Sequence, residues 1–446
     1  MNIGKQLELN YLTSLVDFGQ ICSRRRRILI LIRYLGKIQD MTLKNDVIAA
    51  ALIVSTIILF VTENLFHYPI AVMSILGCIQ MAGQKVFDQS LKHLCWIFFA
   101  VWLPMVLACF GSSNPLHSCK TTIAYLHFLP MGFYISVSCL QGRVRVMVGR
   151  AIIFLCFVLV LDACFQFFSG RNLLGYPLQG DSVTGMFHPK QRLGLFLAIL
   201  APFFIHFLWK RGWGLTLILM SALPYLFVIL VSLKRNSWLM LFIGLMIFAY
   251  IECKGSLGKF SRIVGVASFV IFLVVSALFT SSPTFTKQMQ HSYGLLSGNA
   301  QEMDRSSNHR LALWDVGLKM VQDNPILGIG PRGYRYDFKK YAEPENFWVK
   351  NFDSGQTHPH LMSLEILVET GIIGFSMYLF VLVLLLKIAI NSVSSDSAKF
   401  WLIAAFLAWL PLNTHLAFYG SYWASVAWVF LALGLRGAQS EVGHPK

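Results

Sequence analysis

Two groups of residues in this chain carry chemistry in unusual places. The first lies in THPHLMSLEILVETGIIG, where Pro359 suits the first turn of a helix and His360 follows it directly. An imidazole at the head of an apolar helix sits near a membrane–water boundary, where its neutral form accepts a proton near neutral pH. Glu365 and Glu369, four apart, fall on one face of that helix. Carboxylates inside an apolar segment are functional candidates, with structural pairing to an arginine as the alternative. His358 reads as a loop residue beside them. The second group is cationic: Arg192 closes GMFHPKQR ahead of an apolar run, and Lys234 with Arg235 interrupts two strongly apolar runs in SLKRNSW. Arginine's planar fork matches phosphate and carboxylate oxygens. At a membrane edge such cations either snorkel to head groups or face a cavity as an anion site. Asp162 is a carboxylate within an apolar run, with no partner evident from sequence.

The elements that must hold these residues follow from composition. Of 446 residues 56% are hydrophobic and only 13% charged, against roughly 25% charged in a soluble domain. That excludes a soluble enzyme, a disordered chain and a nucleic-acid binder with a water-soluble charged face. A helix needs about 20 apolar residues to span a bilayer. Apolar runs near 45–66, 68–84, 93–110, 121–139, 147–168, 193–208, 214–233, 237–252, 263–280, 362–386, 400–416 and 421–435 predict an all-α polytopic membrane protein with about 12 transmembrane helices. The nine cysteines are scattered without a CxxC pair, which argues against a disulfide framework or a metal site.

The net charge of +16 orients the chain. With a cytoplasmic N-terminus, 22 of the 37 Lys and Arg fall on inner segments, and nine of the other 15 lie in one long outer loop. Long loops do not count in the positive-inside rule, so both termini are expected in the cytoplasm. The layout is a basic segment over 1–44, helices over 45–280, a periplasmic loop over 281–359, three more helices over 360–436 and a tail over 437–446. The first segment holds Arg24, Arg25, Arg26 and Arg27 in a row, read as an anchor to anionic lipid, and no removable signal peptide follows. The six outer cations in short loops are Lys120, Arg171, Lys190, Arg192, Lys234 and Arg235. Within the long loop an amphipathic helix is expected over 309–322, with Leu311, Trp314, Leu318 and Val321 on one stripe. GIGPRG fits neither phosphate-loop nor dinucleotide spacing, so neither nucleotide nor nucleic acid is expected as a partner.

Four stretches carry a family resemblance: GMFHPKQRLGLFLAIL (185–200), SLKRNSWLML (232–241), NHRLALWDVGLKMVQDNPILGIG (308–330) and HPHLMSLEILVETGIIG (358–374). In them the chain resembles the O-antigen ligase family, within the superfamily that includes O-antigen polymerases and protein O-glycosyltransferases. His360, nine residues after Leu361, then Gly371 and Gly374 follow the family's spacing. Leu361 stands where the family often carries an amide. Arg235 matches the family's outer arginine, Arg310 its loop arginine, and Arg192 a further diphosphate-binding arginine found in some members. The resemblance implies a GT-C-type glycosyltransferase of the bacterial inner membrane, with a periplasmic site, metal-independent and inverting. Its donor would be an O-antigen polysaccharide on undecaprenyl diphosphate, and its acceptor a sugar hydroxyl of lipid A–core. His360 would then be the general base and Arg235, Arg310 and Arg192 the diphosphate clamp. Glu365, Glu369, His358 and Lys234 are candidate supporting residues.

The chemistry is consistent with this. A diphosphate leaving group gains negative charge as the glycosidic bond breaks, and without a metal or an Asp-x-Asp motif cationic side chains must stabilise it. An acceptor hydroxyl needs a base if attack and cleavage are concerted. Alternative readings are an O-antigen polymerase, a protein O-glycosyltransferase or a transporter. The last would predict paired internal repeats, and the sequence contains none that we detect.

Overall fold

A computed structural model describes residues 44–83, 87–140, 142–210, 215–253, 256–392 and 398–437. The four-arginine run and the tail beyond 437 lie outside the described residues. The chain divides into two compact units, 1–51 and 52–446. The described part of the first, 44–51, is helical.

The helices in chain order are α1 (44–59), α2 (His67–Gly83), α3 (Gln89–Phe110), α4 (Pro115–Tyr125), α5 (Phe128–Ser138) and α6 (Arg143–Ser169). Next come α7 (Leu193–Lys210), α8 (Leu215–Val231), α9 (Arg235–Cys253) and α10 (Leu257–Ser281). The segment expected as a loop is largely helical: α11 (Pro283–Tyr293), α12 (Ala300–Ser306), α13 (Arg310–Asp323), α14 (Tyr334–Tyr341) and α15 (Phe347–Phe352). The last three are α16 (Met362–Asn391), α17 (Ala398–Ala408) and α18 (Ser421–Gly437). Among the described residues β-pairing is confined to two isolated bridges, Arg171 with Pro177 and Gln179 with Ser182.

Six of these helices, α3, α6, α7, α9, α10 and α16, are long and apolar enough to cross a membrane. Every apolar run in the sequence contains helix, but four are interrupted: 45–66 leaves the helix after Leu59 and 362–386 breaks at Gly371. The run 121–139 breaks at Leu126 and His127, between α4 and α5. The run 400–416 stops at Ala408, and the chain from 409 to 420 is irregular. Non-helical backbone at this depth is tolerated only where protein or a cavity satisfies its polar groups. Here it does so for α16, whose first amides would otherwise be orphaned. Met362 N–H donates to the Asn413 carbonyl (2.9 Å) and Ser363 N–H to the Pro411 carbonyl (3.2 Å).

The Gly-rich GIGPRG segment docks on a break in α16. Gly371 has φ 63° and lies against the Ile326 carbonyl, where an added Cβ would come within 2.1 Å. Gly328, with φ 69°, would bring a Cβ to 2.6 Å from the backbone of Glu369. Only glycine fits both the left-handed backbone and the close approach. The gap is bridged by backbone bonds: Ile372 N–H to the Pro325 carbonyl, Ile329 N–H to the Val368 carbonyl (both 2.9 Å) and Gly330 N–H to the Glu369 carbonyl (3.0 Å).

Helix α13 falls where the amphipathic helix was expected, and Trp314 and Val321 of the expected stripe pack partly buried against the core, but the fully buried face is offset from it. Leu313, Val316, Gly317 and Met320 are buried, joining Ile329, Tyr334, Phe338, Leu364 and Val368 in one apolar cluster. Leu318, expected on the buried stripe, is 52% exposed. The reason is Gly317, which lets α16 approach so closely that a Cβ there would be 3.1 Å from Leu364. A hydrophobicity stripe counts side chains and misses a contact made by the lack of one.

Candidate active site

Three of the residues singled out from sequence, Lys234, Arg235 and Arg310, line a cavity of about 360 Å³. Its cationic wall comes from two turns. The first is the three-residue connection from α8 to α9, in which Leu233 takes φ 56°. That left-handed residue lets the chain reverse while Lys234 and Arg235 both line the cavity. Arg235 donates from one terminal nitrogen to the Ser306 carbonyl (2.8 Å). Its other terminal nitrogen is buried and has no partner among the described residues.

The second turn starts α13. Asn308 and His309 both take φ 57°, a left-handed pair that costs strain and persists only where neighbours enforce it. The enforcement is visible. His309 Nδ1 bonds Asp304 (2.8 Å), whose other oxygen accepts from Ala312 N–H (3.2 Å), and the His309 ring stacks on Phe347 at 3.5 Å. Ser307 Oγ accepts the Arg310 amide (3.1 Å). The turn delivers Arg310 to the cavity beside Lys234 and Arg235. Burial and the two arginines push Lys234 down to about 8, and burial with Arg235 pushes Arg310 down to about 10. Three cations are therefore held together at an electrostatic cost. Asp181 is the one carboxylate among the cavity's lining residues.

His360 also takes a left-handed backbone, φ 53°. The preceding Pro359 carbonyl is held by Trp314 Nε1 of α13 (3.1 Å), which ties the histidine to the helix carrying Arg310. Its ring lies 4.1 Å from that of His358 and 6.4 Å from that of His415, centroid to centroid. His360 Nδ1 is buried without a hydrogen-bond partner among the described residues. Burial first, then Arg310 and Lys234, lower it to about 4, against a weaker opposing bond to the Thr414 backbone. The ring is thus neutral at pH 7 and able to accept a proton. It does not itself line the cavity; His415 does.

The remaining expected residues divide. Arg192 does not line the cavity but lies over the ring of Tyr422, 3.7 Å from its centroid, and its charge reaches His415. His358 lies beside His360 with its ring tilted by 45° and bonds Thr357 (3.1 Å). Glu365 and Glu369 are fully buried and act on backbone instead. Glu365 accepts from Phe418 N–H (2.9 Å) and Tyr419 N–H (3.4 Å), and Glu369 from Arg332 N–H (2.6 Å). Arg332 also lies 4.0 Å from Glu365. The two carboxylates brace the irregular segments that flank the site, the structural alternative set out above. Asp162 gains a partner too: it accepts from Leu173 N–H (2.9 Å) and steadies the 171–182 turn, whose Gln179, Asp181 and Ser182 form the cavity's far wall.

Sequence reasoning missed His415, together with Lys287 and His291 of α11 on the same wall. A polar Asn413-Thr414-His415 after Pro411, inside an apolar run, was the available signal for His415. Among the described residues no group of three or more His, Cys, Asp or Glu could hold a metal ion.

Comparison with known proteins places the chain beside polysaccharide ligases. Residues 215–379 match the family described as O-Antigen ligase. Over 337 residues, 72% of this chain and 75% of the relative, the chain is 25% identical to a Rickettsia felis protein named "Putative polysaccharide ligase". With its several apolar helices this is a multi-pass membrane protein with a ligase-type, group-transferring role. Residues 215–379, which include Lys234, Arg235, Arg310 and His360, are the part of the chain that matches the O-antigen ligase family.

Proposed function

We propose that the protein is an O-antigen ligase. It takes a polysaccharide from undecaprenyl diphosphate and attaches it to a sugar hydroxyl of lipid A–core, on the periplasmic side of the bacterial inner membrane. The observation that carries the reading is the cavity, where Lys234, Arg235 and Arg310 face one carboxylate, Asp181. Such an excess of buried positive charge suits a ligand with two adjacent negative charges. We extend the reading to the fold: twelve spans with both termini cytoplasmic, in a GT-C-type arrangement, with 281–359 on the periplasmic side.

The mechanism we propose assigns each residue a step. Arg310 and Arg235 clamp the diphosphate and stabilise the charge that grows on it as the bond from the anomeric carbon to the phosphate oxygen breaks. Lys234 adds to that field, and Arg192 supports it from behind Tyr422. The acceptor hydroxyl attacks the anomeric carbon from the opposite face and passes its proton to His360. The diphosphate leaves as an anion, and the anomeric configuration inverts. No metal is required for any of these steps. His358 packs against the base, while Glu365 and Glu369 hold its surroundings in place.

The rival reading as an O-antigen polymerase uses the same donor with a second lipid-linked repeat as acceptor. A lipopolysaccharide gel of a deletion strain separates the two. Loss of a ligase leaves core without O-antigen, and loss of a polymerase leaves core bearing a single repeat. Complementation with His360→Ala, Arg235→Ala or Arg310→Ala should fail to restore the ladder. A normal ladder from His360→Ala would remove the base from the mechanism.

A further inference from the structure

His415 has no part in that mechanism, yet its imidazole lines the cavity beside the three cations, with His291 of α11 as the other lining histidine. We propose that His415 contacts the donor diphosphate and takes up a proton from solvent as the anion enters, so that diphosphate binding and protonation are linked. This rests on the reading of the cavity as a diphosphate site.

Geometry is the first support. His415 shares the cavity wall with Lys234, Arg235 and Arg310, while His360 stands behind it, the two rings nearly parallel at 27°. Its position is built in. Asn413, two residues earlier, accepts from Asn236 of α9 (2.7 Å) and gives its carbonyl to Met362 at the head of α16. Asn413 Oδ1 also accepts the His415 amide (3.4 Å). The segment that interrupts a run of apolar sequence thus caps α16 and presents His415 to the cavity.

Electrostatics is the second. The charged and titratable groups facing His415 are Lys234 from the turn before α9, Arg310 at the head of α13 and Arg192 ahead of α7. The His360 and His358 imidazoles face it from the segment before α16. Asp181 is the lone carboxylate along the cavity wall, across from Lys287 and His291 of α11. Burial, then Lys234, His360, Arg310 and Arg192, hold the imidazole well below its usual range. A diphosphate diester adds two negative charges at this wall and reverses the field. The imidazolium then offers an N–H to a phosphate oxygen where the neutral ring would depend on its tautomer.

Linkage fixes the sign. The complex binds more protons than the free protein, so affinity rises as pH falls, by up to about tenfold per pH unit for one proton. The test uses the full chain in detergent and farnesyl-diphospho-N-acetylglucosamine, a diester whose phosphates do not titrate near neutrality. Calorimetry at about pH 6.5 in two buffers of different ionisation heat counts protons, in the range where imidazole titrates. Wild type is expected to take up close to one proton and His360→Gln to do the same. His415→Gln, which keeps an N–H donor, should take up almost none and bind several-fold more weakly.

Uptake unchanged in His415→Gln, or lost instead in His360→Gln, overturns the proposal. So does a wild-type affinity that is flat between about pH 5.5 and about pH 8, a measurement that needs no variant. If the probe binds equally well to Arg310→Ala, the cavity reading itself fails. If Arg310→Ala weakens binding while His415→Gln leaves uptake intact, only the role of His415 fails.

Discussion

Helices α7, α9 and α17 carry a charged cluster at each end, and the two clusters are built on opposite principles. At one end His206 of α7, Glu252 of α9 and Lys399 of α17 form a compensated group: Glu252 lies 3.3 Å from His206 and 3.4 Å from Lys399. At the other end, Arg192 precedes α7, Lys234 and Arg235 open α9, and His415 follows α17. There the cations gather around a cavity with one carboxylate on its wall. A compensated cluster joins helices and has nothing left for a ligand. An uncompensated one destabilises the protein alone and is relieved by an anion. The same three helices thus separate holding from binding along their length.

The largest test of this contrast is Arg310→Ala, and Arg235→Ala beside it. Removing one preorganised cation that acts on transition-state charge should slow transfer by about 10²–10³-fold. Arg→Lys should restore only part, because a point charge does not reproduce the fork. Assays with purified protein and lipid-linked donor would show it, with the melting temperature unchanged or raised as like charges are relieved. A large fall in melting temperature would mean that these cations also hold the fold.

The opposite cluster should respond in the opposite way. Glu252→Gln leaves Lys399 and His206 without their shared carboxylate, and breaking a buried pair costs about 3 kcal/mol. Thermal unfolding in detergent should show that loss while the donor KM stays as in wild type. A Glu252→Leu, Lys399→Met double variant should recover most of the stability, since replacing both charges by apolar groups is often neutral. A changed donor KM in either variant would end the separation of roles.

A smaller effect sharpens the cavity end. Lys234 titrates at about 8 and His360 at about 4. If Lys234 must be charged and His360 neutral, those two groups bound the active range, and within it kcat/KM for the donor rises toward lower pH with the proton that His415 takes up. It falls below about 4 as His360 protonates and above about 8 as Lys234 loses its proton. Lys234→Arg should carry the alkaline limb upward, and Lys234→Met should abolish it with roughly a tenfold loss of rate. An alkaline limb that survives in Lys234→Met belongs to another group.

What the sequence disclosed follows the same division. Arg235 was legible because a cation between two apolar runs on the outer side opposes the topology bias, and the His360–Gly371–Gly374 spacing marked the helix after the loop. The apolar runs located the helices, but not the breaks at His127 and after Ala408. Pro411 ends a helix without making the sequence less apolar, so His415 was hidden inside an apparent span. The buried face of α13 was misplaced because Gly317 contributes by lacking a side chain. The helices α11, α12, α14 and α15 are short, and their pairing depends on tertiary contacts such as the Asp304–His309 bond. Glu365 and Glu369 show the limit of reading carboxylates from sequence, since their partners are backbone amides that only the fold supplies.

The smallest expected effect belongs to Arg192, which does not itself line the cavity. Its guanidinium lies over the face of Tyr422, itself only 7% exposed. A desolvated cation–π contact is worth about 1–2 kcal/mol. Tyr422→Leu removes that contact and leaves the charge free to reorient, so donor affinity should fall about fivefold. Tyr422→Phe keeps the ring under the guanidinium and removes only the weaker interaction of the hydroxyl with Arg192, so it should lose much less than Tyr422→Leu. The ordering is the informative part. If Tyr422→Leu matched the loss in Arg310→Ala, Arg192 would have to reach the diphosphate directly. The cavity would then extend past His415 to the head of α7. If it had no effect at all, Arg192 would belong with the cations that only hold the helices at the membrane edge.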